Sequence, residues 1–358
     1  MCNTTHAQFV RAYLASDAAP SCTENVAVLA DFNHISEDTV RQIDTLIQNE
    51  HRIDRSVWIN DYFNPCKLKT DLDSLRGYQE GILRAIGEPV EVICTWTLYN
   101  RFEQLVMETY PDADVVMYED GYSLYVARPI ANSLSPQQSA EERLVSVMTR
   151  SGVAPEHILR VVQIPHILGG GVEKPKYLAD CNFVDIGTSV FHEMMLKVAQ
   201  ELGVNWSVNA IWEEQKIALL IGTPLHQIAP SLSWERERDI YAIAAHRLIG
   251  EGYHVLWRDH PRVKVPFAKS LSGMLPVKDF SVLQLPSSVP LEYVACMHKI
   301  DLSISIGSTA QMSMKKFNGV PFKVIDGDDF AFISQTGDSL PQFRQNAEHF
   351  WLTSKEAS

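Results

Sequence analysis

Two adjacent carboxylates, Glu119 and Asp120, are the first residues whose types and spacing suit catalysis, and Gly121 follows them. They come directly after a predicted strand, and in open α/β sheets the carboxyl ends of strands face the ligand crevice. Two like charges at close range favour proton uptake by one of the pair, which suits a general base near neutral pH. An acidic turn, with Gly121 at a positive φ angle, would explain the same residues without any chemistry.

A histidine followed by a proline, His260-Pro261, comes after a second predicted strand. Proline restricts the preceding residue to an extended backbone, which narrows the directions open to the His260 side chain. A protonated imidazole beside a phosphate can donate to the departing phosphate oxygen. Arg258 and Arg262 stand on either side and could pair with a phosphate or a sugar carboxylate. The alternative is a solvated turn at the end of a strand.

Two hydroxyl residues, Ser308 and Thr309, stand between a third predicted strand and a helix that is predicted to begin near Ala310. Gly307 before them allows close approach of the backbone, and hydroxyls and amides at a helix N-terminus suit an anionic phosphate. Either residue could equally be an ordinary N-cap of that helix.

Strands and helices alternate in both halves of the chain, which is typical of a parallel sheet with helices on both faces. The first half has predicted strands over 25–31, 56–60, 91–94 and 114–118, helices over 36–49, 72–86, 98–109 and 136–151, and a mixed region over 158–191. The second half has predicted strands over 216–221, 253–257, 280–285, 302–306 and 322–325, with helices over 234–250, 291–298 and 310–317. All three motifs therefore lie at predicted carboxyl ends of strands, the acidic pair in the first half and the other two in the second.

The length of 358 residues exceeds what a single core usually supports, so two domains are expected. We predict boundaries at 1–207 and 208–335, followed by a helix within 336–358 that crosses back to the first domain. Hydrophobic residues make up 46% and charged residues 21%, as in chains that fold throughout. The net charge of −13 disfavours non-specific binding to nucleic acid or anionic lipid.

Nothing in the sequence predicts export or insertion into a membrane. Residues 1–16 lack the apolar core of a signal peptide, and no run approaches the roughly 18 apolar residues of a membrane helix. The six cysteines are scattered, with neither a CxxC pair nor zinc spacing, so we expect reduced thiols and no metal site. The expected location is the cytoplasm, where a partner or a basic patch could hold the chain at the inner membrane.

In their order along the chain, Glu119-Asp120-Gly121, His260-Pro261 and Ser308-Thr309 resemble the acidic-acidic-glycine, His-Pro and Ser-Ser/Thr motifs of bacterial sialyltransferases. These include the polysialyltransferase and lipooligosaccharide sialyltransferase families. The resemblance implies a GT-B fold, in which two Rossmann-like doubly wound domains face a cleft. The first would bind an oligosaccharide or glycolipid acceptor, and the second a CMP-activated sialic acid or related nonulosonic acid. It also implies inversion at the anomeric carbon, without a metal or other cofactor.

The resemblance also suggests roles for single residues. The general base would be Glu119 or Asp120, with Glu119 preferred, and His260 would be the general acid in a His-Pro motif that contacts the donor. Ser308 and Thr309 would bind the phosphate.

Three further residues look like parts of the family's nucleotide pocket. The backbone of Gly222 and Thr223 would approach the nucleotide. Glu292 would accept from the ribose hydroxyls, although it could also be an acidic first-turn residue of a helix.

Other functions remain compatible with the sequence. A Kdo transferase or a CDP-glycerol-type polyol-phosphate transferase would use a similar two-domain fold, and a non-catalytic glycan-binding or assembly protein could share the scaffold. Asn33, His34 and Asn100 stand near strand ends of the first domain and could contact the acceptor sugar or only solvent.

Overall fold

The computed structural model describes most of the chain between residues 4 and 325. The described residues are 4–30, 37–119, 124, 130–135, 137–168, 174–203, 215–228, 232–260, 263–285, 289–306 and 308–325. The chain forms two compact units, Met1–Leu202 and Gly203–Ser358. The predicted boundary at 207/208 and the predicted helix within 336–358 lie outside the described residues.

The first unit contains two parallel sheets. Its strands are β1 (Val26–Leu29), β2 (Arg55–Trp58), β3 (Val92–Thr95), β4 (Asp114–Met117), β5 (Val161–His166) and β6 (Phe183–Asp185). Its helices are α1 (Thr4–Ala15), α2 (Glu37–Gln48), α3 (Leu72–Ile86), α4 (Arg101–Thr109), α5 (Ala140–Thr149), α6 (Pro155–Ile158) and α7 (Thr188–Glu201). Strands β1 and β2 pair with each other, and the four others form a sheet in the order β3-β4-β5-β6.

The second unit contains one five-stranded parallel sheet in the order β11-β10-β7-β8-β9. Its strands are β7 (Lys216–Ile221), β8 (Tyr253–Arg258), β9 (Phe280–Val282), β10 (Leu302–Ser305) and β11 (Phe322–Val324). Its helices are α8 (Leu225–Ile228), α9 (Trp234–Gly250), α10 (Ala268–Met274), α11 (Leu291–Met297) and α12 (Thr309–Asn318). The predicted α/β class with two Rossmann-like units is confirmed.

The strand order of the second unit predicts a ligand crevice at one end of the sheet. From β7 the chain runs outward through β8 and β9, and it then returns to the other side of β7 with β10. Where the order reverses in this way, the loops after the two central strands diverge and leave room for a ligand at their carboxyl ends. Here those loops follow Ile221 of β7 and Ser305 of β10, which are paired with each other.

Helix α1 was not predicted, because its polar residues are buried and hide the helical periodicity. His6, Gln8 and Arg11 are each at most 1% exposed, as are two of its alanines. The helix packs against α7 and α2. In the described part of the chain, no helix is both long enough and apolar enough to cross a membrane.

A buried ion cluster fixes α1 in the first unit. The Arg11 guanidinium donates to both carboxylate oxygens of Glu201, at 2.6 and 2.9 Å, and to Glu50 at 3.2 Å. Arg11 is 0% and Glu50 is 1% exposed, so neither charge is screened by water. The cluster joins α1, the end of α7 and the residues after α2.

Replacing Arg11 by methionine should lower the free energy of unfolding by about 3–5 kcal/mol, because two carboxylates then lose their buried cation. Urea denaturation followed by circular dichroism measures the change. Arg52→Met is the matched control: Arg52 is 35% exposed and lies 3.7 Å from the same Glu50, so its loss should cost about 1 kcal/mol or less. Equal losses in the two variants would contradict the prediction.

Candidate functional site

Glu119 lies where strands β4 and β5 end. Its backbone amide donates to the Pro165 carbonyl at 3.2 Å, so the chain still follows β5 at this point. Its side chain is 4% exposed, and its Oε2 atom accepts the amides of Ile167 at 2.6 Å and Leu168 at 2.9 Å. The carboxylate therefore holds the segment that follows β5 against the end of β4.

These bonds bear on the predicted role of Glu119 as a base. Two amide donors fix the orientation of the carboxylate, as a general base requires. Asp120 lies outside the described residues. The choice between the two acids therefore stays a prediction.

A small open pocket lies in the first unit at the carboxyl ends of β3 and β4. Three aromatic residues, Trp96, Tyr99 and Tyr177, are among its walls, with Met117 from the end of β4. Asn100, a predicted acceptor contact, directly precedes α4 beside Tyr99. The other two predicted contacts, Asn33 and His34, lie outside the described residues.

The loop that carries His260 is anchored by its neighbour Asp259. The Asp259 carboxylate accepts the amides of Phe267 at 2.8 Å and Ala268 at 3.2 Å, which closes the loop onto the start of α10. Within the loop, the carbonyl of His260 accepts the Val263 amide at 3.0 Å. The His260 side chain is half-buried, and Pro261 and Arg262 lie outside the described residues.

Aromatic rings pack beneath this loop. Phe267 is 1% exposed and stacks on Trp234 with 5.2 Å between ring centroids. The rings of Tyr241, Trp257 and His226 lie within 5.6 to 6.2 Å of the same phenyl ring. The position of His260 thus depends on a packed apolar base and not on the loop alone.

Arg258 is committed to the inside of the second unit. Its guanidinium donates to the carbonyl of Leu285, beyond β9, and its carbonyl accepts the Gly222 amide at 2.8 Å. Burial lowers the pKa of Arg258. The arginine that was predicted to pair with a phosphate therefore has a structural partner.

Gly222 and Thr223 follow β7 and are tightly packed. A Cβ atom at Gly222 would lie 2.9 Å from the indole of Trp257, so packing alone requires glycine here. Thr223 is buried; its amide lies 2.8 Å from the Tyr241 hydroxyl and its own hydroxyl 2.7 Å from it. The contact of Gly222 and Thr223 with a nucleotide stays a prediction. It would not use their amides, because both already donate hydrogen bonds within the unit.

The remaining predicted donor contacts lie on α11 and α12. Ser308 directly precedes α12, and its amide donates to the Gln311 side chain at 3.4 Å. Glu292 is in the first turn of α11, where burial raises the pKa of its carboxyl group and a hydrogen bond from Ser313 of α12 opposes the rise. The side chain of Thr309 is not among those described.

The second unit brings several predicted site residues to the carboxyl end of its sheet. Gly222, His260 and Ser308 follow β7, β8 and β10, which are neighbouring parallel strands. Glu119 belongs to the first unit. Among the described residues, no group of three or more His, Cys, Asp or Glu side chains could hold a metal ion.

A pair formed by His226 and the buried Glu237 lies at the same end of the sheet and was not predicted from the sequence. The Nδ1 atom of His226 lies 2.6 Å from the Glu237 carboxylate, and Glu237 is 0% exposed. The two residues are 11 apart in the chain, and no motif or helical spacing links them. Only the packing of α9 against the loop after β7 brings them together.

Comparison with known proteins gave low structural similarity. The chain is similar to MnaA of S. aureus in its complex with UDP (TM-score 0.46, 12% identity, covering 99% of this chain and 84% of that one). It is also similar to the UDP-GlcNAc 2-epimerase of Neisseria meningitidis bound to UDP-GlcNAc (0.45, 12%, 97% and 91%) and to a UDP-glucosyltransferase of Polygonum tinctorium (0.43, 12%, 98% and 90%). No curated protein matches.

A family model matches most of the chain. The model of the alpha-2,8-polysialyltransferase family matches residues 17–325, a range that holds all three motifs and every described strand. The chain therefore belongs to the alpha-2,8-polysialyltransferase family and is a glycosyltransferase of the sialyltransferase type.

Proposed function

We propose that this enzyme transfers sialic acid, or a related nonulosonic acid, from a CMP-activated donor to a glycan acceptor. The reaction inverts the anomeric carbon and needs no metal ion. The observation that carries the proposal is that Gly222, His260 and Ser308 follow three neighbouring strands at the carboxyl end of the second unit's sheet. Membership of the polysialyltransferase family supports the sugar class.

The donor is assigned to the second unit because its strand order reverses between β7 and β10. The bond from the anomeric carbon to the phosphate oxygen breaks, and His260 gives a proton to that oxygen as CMP departs. A monophosphate of this kind is a good leaving group, so no divalent cation is required to neutralise it. Ser308 and Thr309 bind the phosphate, and Glu292 binds the ribose hydroxyls.

The acceptor is assigned to the first unit. A hydroxyl of the acceptor attacks the anomeric carbon and gives its proton to the Glu119–Asp120 pair, so that one bond forms as the other breaks. The rings of Trp96, Tyr99 and Tyr177 beside β3 and β4 suit the apolar face of a sugar ring. The family description names an alpha-2,8 linkage, so we assign an acceptor that itself ends in sialic acid.

The purified protein should transfer sugar from CMP-sialic acid in the presence of EDTA, with the product linkage read by mass spectrometry and NMR. CMP-Kdo and CDP-glycerol, offered in parallel, test the two other transferase hypotheses. Thermal shift with CMP tests the non-catalytic one, since a glycan-binding module need not respond to the nucleotide. Preferred turnover of CDP-glycerol, or loss of activity with EDTA that Mg²⁺ restores, would contradict the proposal.

Replacing His260 by alanine should lower kcat by about 10²–10⁴-fold, because the departing phosphate loses its proton donor. The melting temperature should change little, since the anchor of the loop is Asp259. His246→Ala is the matched control, as His246 is an exposed histidine of the same unit. Wild-type turnover in the His260 variant would remove its role as general acid.

Glu119→Gln should lower both stability and kcat, whereas Asp120→Asn leaves the bonds of Glu119 to the loop after β5 in place. The loss of a charged acceptor for two amides should cost about 1.5–3 kcal/mol of unfolding free energy. Denaturation and steady-state kinetics of the two variants separate anchoring from base catalysis. Wild-type kcat in both variants would show that the pair does not supply the base.

A further inference from the structure

A histidine and a buried glutamate lie beside the proposed donor site, and the mechanism above uses neither. The His226 side chain is 14% exposed, and its Nδ1 atom lies 2.6 Å from Oε2 of the fully buried Glu237. The same carboxylate accepts the amides of Leu225 at 3.1 Å and His226 at 2.8 Å. A carboxylate in this role only accepts, so Nδ1 is the donor to it, and Nε2 lies on the far side of the ring.

The backbone around this histidine has no amide left for a ligand. The Gly222 amide donates to Arg258, the Thr223 amide to Tyr241, and the next two to Glu237. Position 224 is a proline and has no N–H. Within this fully described stretch, 222–226, the Thr223 hydroxyl is buried beside the Tyr241 hydroxyl at 2.7 Å, so the ring of His226 is the more exposed group able to donate to a bound anion.

The stretch also lies at the place where a donor is expected. It follows β7, whose partner β10 leads to Ser308, so it borders the crevice at the reversal of strand order. The His226 ring packs edge-on against Phe267, with 5.6 Å between ring centroids. The Phe267 amide donates a hydrogen bond to the carboxylate of Asp259, the residue before His260. Both histidines therefore share one packed support.

We propose that His226, held by Glu237, binds an anionic oxygen of the nucleotide-activated donor through its Nε2 atom. The inference rests on the proposed function for the identity of the donor. In the doubly protonated ring, Nδ1 donates to Glu237 and Nε2 to the ligand, so both N–H groups have an anionic partner. A bond of this charge-assisted kind corresponds to about tenfold or more in affinity.

Two substitutions separate ligand binding from support of the loop. In His226→Asn the amide nitrogen takes the place of Nδ1 and keeps the bond to Glu237, but nothing replaces Nε2. In His226→Gln the amide nitrogen takes the place of Nε2, and the bond to Glu237 is lost. We expect His226→Asn to melt near the wild-type temperature and to bind the CMP-sialic acid analogue about tenfold more weakly than wild type. We expect His226→Gln to melt at a lower temperature and to bind the analogue within about threefold of wild type.

Titration calorimetry of the full chain with CMP, cytidine and a CMP-sialic acid analogue measures the binding. Weaker binding of CMP but not of cytidine assigns the contact to the phosphate. A loss confined to the sialic acid analogue assigns it to the sugar carboxylate. Equal losses for cytidine and CMP, or wild-type affinity of His226→Asn for all three, would overturn the inference.

The two proposals fail in different ways. If wild type neither binds CMP nor turns over any CMP-sugar, the proposed function fails and this inference fails with it. If wild type binds CMP and the CMP-sialic acid analogue, and His226→Asn binds both equally well, only the inference fails. Should His226→Asn not fold, ¹⁵N NMR of the wild-type imidazole decides: the CMP-sialic acid analogue must shift the Nε2 resonance of His226, and an unchanged resonance excludes the contact.

Discussion

One interaction recurs at the loops of this enzyme: a side-chain carboxylate that accepts two backbone amides in succession. Glu119 holds Ile167 and Leu168, Asp259 holds Phe267 and Ala268, and Glu237 holds Leu225 and His226. An ionised acceptor makes a stronger bond to an amide than a neutral one does. Glu119 satisfies donors that are left unpaired after strand β5 ends, and Asp259 and Glu237 satisfy donors at the starts of α10 and α8.

These anchors make the loops part of the folded core before any ligand arrives. The Asp259 loop rests on Phe267, which packs among Trp234, Tyr241 and Trp257. A site placed this way loses less conformational entropy on binding than one that the ligand must order. It also restricts what the backbone can offer, since an amide bonded to a carboxylate is not available to a phosphate. Recognition then passes to side chains.

Local signals in the sequence predict much of the fold. The bounds of α3, α9 and β7 agree with prediction at both ends, because Asp71 and Ser233 cap the two helices and β7 is a short apolar run. The described motif residues Glu119, His260 and Ser308 follow strand ends, as predicted. Helix α1 and strands β5 and β6 were not predicted, since buried polar residues interrupt the pattern of α1, a proline interrupts β5, and β6 has only three residues. The anchors were not predictable either, because the bonds of Glu119 and Glu237 span 48 and 11 residues and exist only after the units fold.

The order of the two acids in the first motif has a geometric reason. The Glu119 carboxylate reaches 2.6 Å from the Ile167 amide across the gap between two strand ends. Aspartate is shorter by one methylene, about 1.5 Å, and from the same backbone position it would fall short of both amides. A glutamate is therefore required at the position that holds the loop after β5, whichever of the two acids takes the proton.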